Sequence, residues 1–97
     1  MDEDNDEAIR LDPQVAVVYN NRGDAYIRLG KNQRAIEDYD EAIRLDPHNA
    51  DYYASRAIAY TFSDMDPEAQ ADVNRAVELG IDREPLERFI EELKEQR

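Results

Sequence analysis

Ninety-seven residues are enough for one small domain with a modest core and too few for two. Against 12 basic side chains stand 24 acidic ones, a formal charge of −12, so the surface repels nucleic-acid phosphates and anionic membranes alike, while 41% hydrophobic content is too much for a disordered acidic tail. The chain has no Cys, which excludes a disulfide framework, a thiolate nucleophile and a Cys-based metal site.

No apolar run approaches the roughly 18 residues that span a bilayer, and the acidic start is unlike a secretory signal. The expected placement is the cytoplasm. An acidic surface attracts basic segments of other proteins and also keeps a protein soluble.

The first element is legible only through repetition. Glu41-Ala42-Ile43-Arg44-Leu45-Asp46-Pro47 reappears 34 residues earlier as Glu7-Ala8-Ile9-Arg10-Leu11-Asp12-Pro13, and the same shift carries Glu37 and Asp38 onto Glu3 and Asp4. Met1 falls where Ala35 and Ala69 sit. Residues 1–13 therefore read as the second helix of a repeat whose first helix is absent, either because the chain is a piece of a longer array, the preferred reading, or because a polar half-repeat serves as a cap. Asp2 and Asn5 replace the apolar Ile36 and Tyr39. Asp2, Asp4 and Asp6 superficially resemble a calcium loop, but that pattern breaks at Glu7, where Gly is required, and at Pro13, where Glu is required. A solvated helix face is the better reading.

The next helix shows Val15, Val18, Tyr19, Arg22, Ala25, Tyr26 and Leu29 at spacings of three and four, the signature of one buried face. Gly30 stops it, since Gly takes the left-handed C-terminal conformation without penalty. A second helix follows with Ala35, Ile36, Tyr39, Ala42, Ile43 and Leu45 inward. Asp46-Pro47 closes it, because the residue before Pro is pushed out of helical geometry. The following pair is expected over about 51–62 and 67–79, with Asp66 as cap, Pro67 in the first turn and Glu68 matched to the helix dipole. Last comes an apolar stripe, Leu86, Phe89, Ile90 and Leu93, surrounded by charge. It reads as a closing helix rather than a docking helix for a partner.

Shifting forward by 34, Tyr19, Arg22, Ala25 and Tyr26 land on Tyr53, Arg56, Ala59 and Tyr60, and Ala35, Asp38, Ala42 and Leu45 land on Ala69, Asp72, Ala76 and Leu79. The first set of positions, Tyr19, Arg22, Gly23, Tyr26, Ala35, Tyr39 and Pro47, resembles the tetratricopeptide repeat family. The second set is Tyr53, Arg56, Ala57, Tyr60, Ala69 and Val73, with Ile81 in place of Pro and Asp64 in place of the turn Gly. The likeness covers roughly 1–81. It implies an all-α solenoid of antiparallel helix pairs with about six helices in one domain. The expected boundaries are a partial repeat over 1–13, repeats over 14–47 and 48–81, and a capping helix over 82–97.

Nothing in the sequence supports catalysis. His48 lies in the turn Pro47-His48-Asn49 with no nucleophile in reach; Ser55 and Ser63 lack a nucleophile-elbow context. No Gly-rich phosphate loop or metal-ligand spacing is present, so no cofactor is expected. Arg22 with Asp38, and Arg56 with Asp72, recur at one repeat offset. A guanidinium where the family places an apolar residue needs a neighbouring charge, so these read as structural ion pairs between the helices of each unit. Asp4 is a second candidate partner for Arg22.

The resemblance also implies a concave, ligand-facing surface. Its positions carry over as Val17, Asn20, Asp24, Ile27 and Arg28 in one repeat and Asp51, Ala54, Ile58, Thr61 and Phe62 in the next. Ile58 and Phe62 are apolar where solvent is expected, so each either receives a partner's apolar side chain or packs under the next helix. One subset of the family grips chaperone C-terminal carboxylates with Lys, Arg and Asn. Asn21 matches one such position, but Asp51 and Ser55 occupy the basic ones, so that clamp is not expected. The implied function is a non-enzymatic protein–protein interaction module. Its partner would be a protein or peptide, basic with an apolar anchor, and neither nucleic acid nor membrane. The alternative is a structural spacer that self-associates through its N-terminal edge.

Overall fold

The computed structural model describes residues 12–97; residues 1–11, and with them the expected partial repeat and the calcium-like run, lie outside the described residues. Within them run five helices: α1 (Pro13–Arg28), α2 (Asn32–Leu45), α3 (Ala50–Phe62), α4 (Asp66–Glu78) and α5 (Arg83–Gln96). No strand occurs among the described residues. Helix α1 packs on α2 and α3 on α4, α2 joins the two pairs through α3, and α5 lies against α3 and α4. The result is the all-α serial stack of helix pairs that the repeat demands, elongated to 47 × 28 × 20 Å.

Local chemistry sets the helix ends. Asp12 caps α1, its Oδ1 accepting from the Val15 amide at 3.3 Å, and Pro13 takes the first turn, where its missing N–H costs nothing. Pro13 is thus the first residue of α1. At the other end of α1, Gly30 adopts φ 74° while the Lys31 and Gly30 amides donate to the carbonyls of Tyr26 and Ile27, a paired closure that satisfies two orphan acceptors. The same closure ends α3 at Asp64 (φ 60°) and α4 at Gly80 (φ 121°). Helix α2 ends differently, on Asp46 at φ −151° before Pro47. Asn49 then caps α3. Asp66 is not the cap expected for α4: it is the first helical residue, and Met65 precedes it without a side-chain bond. Its carboxylate accepts instead from the Arg97 guanidinium, at 2.7 and 3.0 Å.

The core is a series of three clusters threaded along the stack. Ala16, Ala42, Leu45 and Tyr52 make one, and Ala35, Ile36, Tyr39 and Ala59 the second. Ala57, Ala69, Val73, Ile90 and Leu93 form the third. Small residues let helix axes approach, and the aromatics fill what remains. The inward face of α2 lies where the pattern puts it. That of α1 does not: Ala16 and Gly23 are buried, whereas Val15, Val18 and Leu29 are exposed. Leu29 follows the last helical residue and is carried outward by the turn. Val15 and Val18 look away from α2, toward a side on which no described helix packs. In α5, Ile90 and Leu93 are buried while Phe89 remains exposed.

Candidate partner-binding groove

Gly23 decides how α1 and α2 meet. A Cβ there would stand 2.6 Å from the Tyr39 ring, closer than real contacts allow, so only glycine lets that ring pass beneath α1. The ring emerges on the far side, and its hydroxyl donates to Asp24 Oδ1 at 2.5 Å. Burial first, and then the hydrogen bond to Asp24, push the Tyr39 phenol well above its ordinary pKa; it stays protonated and remains a donor.

Above this contact, α1 and α3 border a hollow of about 200 Å³ lined by Asp24, Ile27, Arg28, Tyr39, Ser55 and Ile58. Four of these are positions that the sequence assigned to the concave face. Arg28 is exposed and forms no ion pair among the described residues. Ser55 and Tyr39 were not among the assigned positions. Ser55 entered the sequence reading only as a serine without a nucleophile context and as the residue that replaces a basic clamp position, although it stands one turn before Ile58 on the same helix face. Tyr39 belongs to the core pattern, and only the missing Cβ of Gly23 hints that its hydroxyl reaches the other side.

The remaining assigned positions divide. Val17 and Asp51 are exposed, and Ala54 is half-buried. Asn20 is half-buried, with its side-chain oxygen enclosed and without a hydrogen bond among the described residues. Thr61 is a correction: it is completely buried, its hydroxyl donating to the Ala57 carbonyl at 2.8 Å, so it offers nothing to a partner. The physical reason is α5, which covers the end of α3. Phe62 and Ile58 are half-buried and pack against the cluster containing Ile90 and Leu93. Phe62 is therefore seated under the next helix, whereas Ile58 also faces the hollow.

Both arginine pairs are bidentate. Arg22 Nε and Nη2 each donate to Asp38 at 2.8 Å; Arg56 Nε and Nη2 donate to Asp72 at 2.7 and 2.8 Å. Arg56 Nη1 reaches a further carboxylate, Asp40 of the preceding pair, at 2.8 Å, a contact not anticipated from the sequence. Each guanidinium also lies over two rings: Arg22 over Tyr19 and Tyr26 at 5.5 and 5.9 Å, Arg56 over Tyr53 and Tyr60 at 5.8 and 5.6 Å. A flat, delocalised cation suits a slot walled by aromatic faces and closed by a carboxylate fork. Hydrogen bonding to the paired aspartate is the main reason both guanidinium groups are held more basic than usual.

Residues 16–49 match the family model of the tetratricopeptide repeat. The chain carries a tetratricopeptide repeat. No curated protein and no solved structure matches it. Tetratricopeptide repeats are non-catalytic modules of protein–protein interaction. Among the described residues, no helix is long and apolar enough to cross a membrane.

Proposed function

We propose that this chain is a protein-binding module whose partner lays an extended or helical segment along α1 and α3. The observation that carries this reading is the convergence of groove positions from both pairs, Asp24, Ile27 and Arg28 with Ile58, on one hollow. Ile27 and Ile58 offer an apolar seat for one side chain. Asp24 keeps a second carboxylate oxygen beyond the one engaged by Tyr39, and Asp51 is exposed at the start of α3. Together with the net charge of −12, these favour a basic segment with an apolar anchor. Arg28 at the rim selects against a run of uninterrupted lysines and leaves room for one acidic group.

Affinity is expected to be modest, because the groove is short and a flexible segment loses conformational entropy on binding. It weakens with added salt, exposed charges being screened beyond about 8–10 Å. The test is an NMR titration with peptides that place one Leu or Phe among Lys and Arg, compared with versions carrying Glu instead. Shifts confined to Asp24, Ile27, Ser55 and Ile58, abolished by Ile58→Glu in a variant that still folds, support the reading. A footprint on α2 and α4 that spares those residues would move the binding surface elsewhere.

A further inference from the structure

Helix α5 packs against α3 and α4, and one of its apolar residues is left out of that contact. Ile90 and Leu93 are buried and Leu86 packs beside them, whereas Phe89 is 46% exposed. It is the one exposed Phe or Tyr among the described residues. Its direction follows from its neighbours. Glu87, Glu91 and Lys94 line a hollow with Ala69, Gln70 and Val73 of α4, so they mark the side of the helix that faces α4. At about 3.6 residues per turn, Phe89 lies on the opposite edge of the Ile90–Leu93 stripe.

That edge continues the groove. A shift of 34 residues carries Ser55 and Ile58, which border the first hollow, onto Phe89 and Glu92. The same shift carries Asp24, Ile27 and Arg28, on the other bank of that hollow, onto Ile58, Thr61 and Phe62. Thr61 is buried, but Ile58 and Phe62 are half-buried and pack against the cluster that contains Ile90 and Leu93. The chemistry changes between the two steps. Where the first has Asp24, Arg28 and Ser55, the second has Ile58, Phe62 and Phe89. Negative charge remains at its edge. Glu84, Glu87 and Glu91 are each paired with a basic residue of α5, whereas Glu92 is exposed and forms no ion pair among the described residues.

We propose that α3 and α5 form a second, more apolar seat, bounded by Ile58, Phe62 and Phe89, which takes a further apolar side chain of the same partner while Glu92 meets a Lys or Arg beside it. The proposal rests on the groove reading and specifies its partner as a basic segment with two apolar anchors. Neighbouring helix axes lie about 8–10 Å apart. An extended segment in the polyproline II conformation returns to one side every three residues, about 9 Å further on. The two anchors therefore stand three residues apart. Helix α5 is then part of the binding surface as well as the end of the stack.

The experiment titrates the full chain, Phe89→Ser and Glu92→Lys with three synthetic peptides of Lys and Arg, by calorimetry and NMR. One peptide bears a single Leu, one bears two Leu three residues apart, and one bears two adjacent Leu. The parent is expected to bind the spaced pair about tenfold tighter than the single Leu, with shifts at the Phe89 ring. Phe89→Ser should abolish that gain and leave the affinity for the single Leu unchanged, and Glu92→Lys should weaken the spaced pair. Both changes are at exposed positions, and circular dichroism checks that each variant folds. Equal affinity for one Leu and the spaced pair, with shifts at Asp24 and Ile58, overturns the second seat and leaves the groove reading standing. A gain that survives both substitutions, or is matched by adjacent Leu, overturns it as well. If no peptide shifts Ile58, both readings fall.

Discussion

The two described helix pairs solve one packing problem with different parts. Where α1 crosses α2, Gly23 faces Tyr39; where α3 crosses α4, the equivalent residues are Ala57 and Val73, both in the third core cluster. One crossing uses the smallest residue opposite a large ring, the other a methyl opposite a branched chain, so volume is kept while shape changes. The arginine sites differ in the opposite direction. Their aromatic walls and bidentate aspartates agree to within a few tenths of an ångström, yet Arg56 has a third tie, to Asp40. Position within the stack, rather than residue type, sets how much the repeated arginine holds together.

The largest expected effect tests that difference. Arg56→Ala strands the buried Asp72 carboxylate and frees Asp40, and should cost about 2–4 kcal/mol. Arg22→Ala should cost less, with Arg22 more exposed and one fewer tie among the described residues. In a double-mutant cycle, replacing Arg56 and Asp72 together by apolar residues should cost less than the sum of the single changes. Chemical denaturation gives all of these values, and strictly additive losses would mean the pair is not coupled.

The helix crossings come next. Gly23→Ala should destabilise by about 1–3 kcal/mol through overpacking, because the Tyr39 ring is buried and its hydroxyl is tied to Asp24. Ala57→Gly should cost about 1 kcal/mol, from helix propensity. If Gly23→Ala melts like the parent, the ring is free to move and the account of this crossing fails. The turns distinguish the pairs more gently. Gly30→Ala should cost about 1–2 kcal/mol, all of it backbone strain, since nothing lies within 4 Å of an added Cβ. Gly30→Asp should cost less, as Asp64 already occupies the same left-handed conformation in the second pair.

The smallest effect is electrostatic. Hydrogen bonding from Arg97 lowers the Asp66 pKa below the ordinary aspartate value. A depressed folded-state pKa contributes stability above the unfolded value of about 3.9, and that contribution is lost as pH falls through the folded value. The Asp66 carboxyl resonance should therefore titrate low in the parent and return toward normal in Arg97→Gln. Unchanged titration in that variant would show that the clasp does not form in solution.

Much of this organisation is readable in the sequence because it is repeated. The inward residues of α2, from Ala35 to Leu45, follow helical spacing, and the turn at Gly30 follows from its conformational freedom. Arginine and aspartate sixteen apart recur with the period. The rest escapes for physical reasons. Periodicity marks an apolar face without saying what covers it, so Val15 and Val18 carry the same signal as buried residues while standing exposed. Thr61 occupies a ligand-facing position by register, but α5 arrives from far along the chain and encloses it. The Arg56–Asp40 tie was available in principle, since Asp40 precedes Arg56 by the interval at which Asp72 follows it.

The bond between Tyr39 and Asp24 has a consequence for anyone redesigning the groove. A core side chain and a surface carboxylate share one proton-bearing contact, so the two cannot be exchanged independently. Replacing Asp24 to change what the module recognises leaves a phenol without an acceptor beneath α1, and that loss would be misread as poor folding of the new binding surface. The remedy is to exchange Tyr39→Phe in the same step, which keeps the ring under Gly23 and releases the groove for new chemistry.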